Sequence, residues 1–416
     1  MRYLDKLEAY FKLRDPVVRA FVPEVKRFER VRRQAVELLA RHSQPDRRPP
    51  LFGVPVGVKD IFHVEGIDTR AGSRLPPEEL RGKEADCVTI LKQAGALILG
   101  KTVTTEFAYF APGITRNPHN LDHTPGGSSS GSAAAVSSGL CPLALGTQTI
   151  GSIIRPASFC GVIGYKPSYD RISRAGVIPL SPSLDHVGFF PSDLKGAKMV
   201  ASLLCKDWEP GVPDHKPLLG IPEGPYLAHA STEGLLHYRT ICRHLSEVGF
   251  GVKSMNAMPD FDEICARHEL IMAAEMAKVH KDWFAKFANL YHPITRNIIV
   301  RGQSIPAEAL RDGLRGREKL RIALTKLMIE NNIDLLLSPA ATGPAPKGLD
   351  STGNPVMNLP WTHSGLPTLN LPSGLSQNRL PMGLQITAAW YNDEQLLAWS
   401  EDIMPHLNSS TSSSLS

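Results

Sequence analysis

Residues 124–136, TPGGSSSGSAAAV, run glycine, serine and alanine together without a charged side chain. A flexible linker needs nothing beyond that composition. The residues that follow exclude it. LCPLALGTQTIGSIIRPASFCGVIG (140–164) is tightly apolar, and a solvated linker is not bordered by a segment that has to be buried. The stretch therefore reads as backbone packed where side-chain bulk would obstruct, leading through a small-residue helix (AAAVSSG) into a short apolar strand (LCPLALG).

The same helix-to-strand step occurs upstream. DCVTILKQAGALILGKT (86–102) reads as a helix closed at Gly95 and followed by a buried strand from Ala96 to Leu99. In GVPVGVKDIF (53–62), Val54, Val56 and Val58 alternate with Pro55, Gly57 and Lys59, which puts Lys59 on the strand face opposite the valines. NNIDLLLSPA (331–340) and LPMGLQITAA (380–389) supply two further buried strands. Repeated alternation of this kind predicts an α/β fold, a sheet with helices on its faces. Residues 1–50 form an N-terminal helical segment whose apolar spacing breaks at Pro16 and Pro23. Residues 51–405 read as one large domain, with 200–330 its more polar, mostly helical and variable part, and 406–416 as a disordered Ser-rich tail.

Composition narrows the function. A net charge of +5 over 416 residues is mild, and the basic clusters RFERVRR (27–33) and RDGLRGREKLR (311–321) read as solvated helix faces; no nucleic-acid partner is expected. No apolar run reaches membrane-spanning length, so no membrane partner is expected. Six cysteines without a CxxC, and no signal-like opening, point to reduced thiols and a cytoplasmic setting. Asn408-Ser409-Ser410 matches a glycosylation sequon, which carries no weight without secretion.

Several catalytic patterns fail on inspection. GSSSG (127–131) fits G-x-S-x-G with Ser129 at the nucleophile position, but loop composition precedes it where that elbow needs a strand. GTQTIGS (146–152) has phosphate-loop spacing, yet Ser152 and Ile153 stand where Lys and Ser/Thr belong. His268-Glu269 lacks the second histidine of a zinc-protease helix, and no histidine cluster has ligand spacing; neither a metal nor a cofactor is expected.

What remains is a strand lysine, a Gly/Ser loop and a second Gly/Ser loop, in that order. GVPVGVKD, GGSSSGSAAAVSSGLCPLALGTQTIGSIIRPASFCGVIGYKPS, SPSLDHVGFF, DLLLSPAATGPAP and LPMGLQI together resemble the amidase signature enzymes over roughly residues 50–400. GTQT and the offset arginine of GSIIRPA are most similar to the malonamidase-like branch.

That resemblance implies a single large domain with a central mixed β-sheet flanked by helices, and a cofactor-free Ser-Ser-Lys triad. Carried over by motif, Ser152 is the nucleophile, Ser128 the relay and Lys59 the base, with the Gly127–Ser128 peptide cis. The chemistry is coherent. A serine hydroxyl needs its proton removed before it attacks, and a lysine does that only as a neutral amine, which burial favours. Asp60 would oppose this if it pointed the same way, and strand alternation turns it away. Taken singly, each residue has a plain structural role open to it: Lys59 a surface strand lysine, Ser128 and Ser152 caps. Only the joint pattern carries the assignment.

The resemblance also implies an oxyanion hole from the backbone of Thr149, Ile150, Gly151 and Ser152, and substrate contacts from Arg155 and Ser129. Ile150 departs from the usual glycine, and a β-branched residue there requires negative φ. Arg155 would grip a substrate carboxylate, with a structural salt bridge as the other reading. The expected activity is hydrolysis of a small amide, carbamate or urea-like compound through an acyl-enzyme. The expected partners are that amide and water, with a homodimer the one protein partner considered. Two other readings stand beside it. One is the A-type subunit of a tRNA-dependent amidotransferase, which usually has Asp at the Gln148 position and Gly at the Ile150 position. The other is a catalytically impaired amidase-like binding protein.

Overall fold

The computed structural model describes residues 1–407; the Ser-rich tail expectation falls mostly on 408–416, outside the described residues. The strands are β1 (Pro55–Lys59), β2 (Leu97–Thr102), β3 (Leu143–Gln148), β4 (Gly164–Lys166), β5 (His186–Pro191), β6 (Leu219–Glu223), β7 (Val252–Asn256), β8 (Leu335–Pro339), β9 (Thr368–Leu375) and β10 (Pro381–Ala388). They form one sheet in the order β2-β1-β3-β5-β4-β9-β10-β8-β6-β7. β1 runs parallel to both β2 and β3. From β3 through β5, β4, β9, β10 and β8 each pairing is antiparallel, and β6 then runs parallel to β8 and β7. The sheet is mixed, with helices packed over it.

Strands buried on both faces read as apolar runs, and β1, β2, β3 and β8 are buried at every position. This is why they were legible. β6 and β7 were not. LGIPE carries Gly and Pro, and VKSMN is an edge strand with only Met255 buried, so residues 200–330, expected to be mostly helical, also extend the sheet.

The N-terminal helices Arg2–Val18 and Arg27–Arg41 are not set apart from the rest. Leu4, Leu7, Val31 and Leu38 share one buried cluster with Leu97, Leu99 and Ala133–Ala135. Pro16 does not end the first helix, which continues to Val18 and stops at Arg19, a left-handed residue with φ 57°. Proline in the last turn removes only one hydrogen bond near the helix end.

The opening Gly/Ser/Ala stretch becomes the buried helix Ser130–Ser137. A Cβ on Gly131 would stand 2.2 Å from the Ala20 carbonyl oxygen and 2.4 Å from the Val103 nitrogen. No side chain fits there, so the small residues let this helix press against backbone.

Candidate active site

β1 ends at Lys59, whose side chain is fully buried. Its Nζ donates to Ser128 Oγ at 2.7 Å and to Thr147 Oγ1, on β3, at 2.8 Å. Desolvation holds the amine well below the ordinary lysine range, opposed by the negative charge of Asp185. Asp60 is turned away, paired with Lys101 Nζ at 3.0 Å in a second buried site, as the alternation along β1 requires.

The Gly127–Ser128 peptide is cis. Ser128 and Ser152 line the same cavity, of about 20 Å³, together with Thr149, Ile150, Arg155, Met272 and neighbouring apolar residues. No hydrogen bond joins the two serines among the described residues. The Ser152 hydroxyl has no bonded partner there either and is 7% exposed, which leaves it open to the cavity.

The turn between β3 and the helix Ile154–Cys160 is braced from several directions. Gln148 Oε1 accepts from the N–H groups of Ile153 (2.8 Å) and Ile154 (3.0 Å), while its Nε2 donates to Thr362 Oγ1 (2.9 Å). Thr362 Oγ1 donates to the Ile150 carbonyl at 2.6 Å. In a planar trans peptide the N–H points opposite the C=O, so this bond aims the Gly151 N–H away from Thr362. Among the described residues nothing accepts from the N–H groups of Thr149, Ile150, Gly151 or Ser152. A Cβ on Gly151 would stand 2.3 Å from Asn358 Oδ1, so only glycine fits at that point of the turn. Ile150 is not among the residues with positive φ; the turn accommodates a β-branched residue by keeping φ negative.

Among the described residues Arg155 is buried without an acidic partner. Its Nη2 donates to the Gly127 carbonyl (2.7 Å) and Thr352 Oγ1 (3.1 Å), and its Nε and Nη1 have no partner among the described residues. Desolvation lowers its pKa to about 9. No ion pair among the described residues involves Arg155, which lines the cavity while its two unpartnered donors are buried. Ser129 differs from expectation. Its hydroxyl donates to the Thr147 carbonyl at 3.1 Å, and it lies outside the cavity wall because its place at the helix entry turns it onto β3.

Three contributors were missed. Thr147 lies inside a quoted motif but carries no signal beyond its type. Asp185, in SPSLDHVGFF, accepts from Thr149 Oγ1 (2.6 Å) and from the Leu180 and Ser181 N–H groups, and burial raises its pKa to about 6. Thr362 comes from far along the chain. Among the described residues no group of three or more His, Cys, Asp or Glu could hold a metal ion, and no helix is long and apolar enough to cross a membrane.

The arrangement sets a desolvated lysine against a serine hydroxyl, at a cavity that a second serine also lines. A family model described as Amidase matches residues 3–397, including the N-terminal helices. A crystal structure of an amidase is 30% identical, covering 96% of this chain and 95% of that one, with a TM-score of 0.87. A chain from a vestigial protein complex bearing on the origins of an s-triazine catabolic enzyme is 27% identical, covering 96% and 93%, with a TM-score of 0.85. The A-type subunit of the glutamyl-tRNA(Gln) amidotransferase from Desulforapulum autotrophicum is 30% identical over 405 residues, 84% of this chain and 82% of that protein.

Proposed function

The chain belongs to the amidase family, and from that premise we propose that it hydrolyses the C–N bond of a small amide through an acyl-enzyme on Ser152. The observation that carries the reading is the fully buried Lys59 Nζ at 2.7 Å from Ser128 Oγ, at the cavity that Ser152 also lines. Neutral Lys59 takes a proton from Ser128, which takes one from Ser152 as its oxygen attacks the amide carbon. The oxyanion is stabilised by backbone N–H groups of the Thr149–Ser152 turn, each well-placed donor being worth about 2.7–4 kcal/mol. The C–N bond breaks, the nitrogen takes back the proton through Ser128 and leaves as ammonia or an amine, and water releases the acid by the same relay.

Arg155, which lines the cavity and has two buried donors without a partner among the described residues, favours substrates whose acyl half carries a carboxylate. Carbamates and urea-like compounds would follow the same steps. An amidotransferase A-type role is the second reading, favoured by the 30% identical relative from that enzyme; Gln148 and Ile150 depart from that subfamily's usual residues. Ammonia or amine release by the purified chain alone, across a panel of amides with and without a carboxylate, separates the two. Release supports the hydrolase. Activity only with a misacylated tRNA and further protein components supports the amidotransferase.

A further inference from the structure

A chamber of about 410 Å³ adjoins the small cavity of Ser152, and Ala108, Thr149 and Leu180 line both. The smaller cavity, about 20 Å³, holds little more than one water, so an amide with two sizeable halves needs space beyond it. Thr147, 2.8 Å from Lys59 Nζ, is part of the chamber wall, while Ser128 and Ser152 line the smaller cavity. Arg155 belongs only to the smaller cavity.

The chamber walls are largely apolar, with Ile61, Val177, Ile178 and Val187 among them. Its charged wall residues are engaged: Asp170 pairs with Arg174 at 3.3 Å and with Lys206 at 3.5 Å, and Asp185 accepts from Thr149 Oγ1 at 2.6 Å. Two buried polar atoms of wall residues have no partner among the described residues, the donor Arg174 Nε and the acceptor His186 Nε2. His186, 2% exposed, has Nδ1 2.7 Å from the Leu184 carbonyl oxygen. A carbonyl only accepts, so Nδ1 carries the proton and Nε2 is left with a lone pair. No donor among the described residues reaches Nε2. Burial, with the positive charges of Lys166, Arg317 and Arg174 around it, keeps the imidazole neutral, so Nε2 stays an acceptor.

We propose that this chamber receives the amine half of the substrate, and that this half is an apolar N-substituent bearing one hydrogen-bond donor for His186 Nε2. The substrate class is then secondary amides that release a primary amine. The inference rests on the amidase reading, and chemistry fixes which half goes where. A carboxylate on the acyl half turns toward Arg155, which lines only the smaller cavity, and the amine half is then the one that takes the chamber.

The test assays the wild-type chain with three monoamides of one short dicarboxylic acid: the primary amide, the N-benzyl amide and the N-(hydroxybenzyl) amide. The expected order of kcat/KM, rising, is primary, then benzyl, then hydroxybenzyl, with the last step at least about threefold, the value of one added hydrogen bond. Val177→Trp, which fills the chamber, should lower the benzyl-to-primary ratio at least tenfold. If that variant does not fold, the wild-type order decides alone. A primary amide cleaved as well as or better than both substituted amides overturns the chamber proposal and leaves the amidase reading standing. No release from any of the three, with Ser152 unmodified, overturns both.

Discussion

Lys59 Nζ is held between two hydroxyls, Ser128 Oγ at 2.7 Å and Thr147 Oγ1 at 2.8 Å, with no ion pair to any described carboxylate. An amine buried among neutral partners is easily deprotonated and well placed to accept. Lys59→Met keeps the length of the side chain and removes the base. It should lower kcat by about 10²–10⁴-fold, the usual value of acid–base catalysis, without lowering the melting temperature, since a desolvated amine is exchanged for an apolar group. Amide turnover and thermal unfolding check this; a loss under tenfold would remove Lys59 from the relay.

The pH profile follows from the same geometry. The base works only when neutral, so the rate should rise with pH as Lys59 loses its proton. Burial lowers its pKa, so the rise should be complete below the ordinary lysine range near about 10.4. The charge of Asp185, whose own pKa is raised to about 6 by burial, favours the ammonium form. Asp185→Asn removes that charge and should move the rising limb to lower pH. A limb that moves up, or stays in place, would mean Asp185 only braces the Thr149 turn.

Arg155 offers a sharper contrast. Arg155→Met should weaken carboxylate-bearing amides by about 10–150-fold relative to neutral ones, the equivalent of a charged hydrogen bond worth about 1.5–3 kcal/mol. Stability should fall by about 1–3 kcal/mol, because the buried Gly127 carbonyl loses the donor that Arg155 supplies. Equal losses for the two substrate classes would assign the residue a structural role.

Ile150 lines the cavity of about 20 Å³ beside Ser152. Ile150→Gly should admit longer acyl chains, at some cost in stability from added freedom in the unfolded chain and a lost buried side chain. A series of amides of increasing acyl length reads this directly, and an unchanged preference along the series would place Ile150 outside the acyl site.

What the sequence made legible is what local pattern encodes. The Gly/Ser/Ala stretch, the strand ending at Lys59 and the turn at Ser152 all lie in segments whose periodicity or smallness signals burial. The rest depends on partners that meet only in three dimensions. Thr147 reaches Lys59 across 88 residues of sequence, and Thr362 reaches Gln148 across 214; neither has a local pattern to mark it. The same reason explains Ser129, one position beyond Ser128 and alike in type, whose hydroxyl is nonetheless engaged by the Thr147 backbone. It also explains β6 and β7, whose membership in the sheet comes from pairing with β8 and with each other.

The identity of the nucleophile is tested most directly by covalent labelling. The chain and its Ser152→Ala variant are each incubated with a serine-reactive fluorophosphonate, and the adduct is read by intact mass and peptide mapping. The expected result is a single adduct on Ser152 in the wild type and none in the variant, with both proteins folded. An unlabelled wild type, or an adduct that persists in Ser152→Ala on Ser128 or Ser129, would contradict a Ser152 acyl-enzyme.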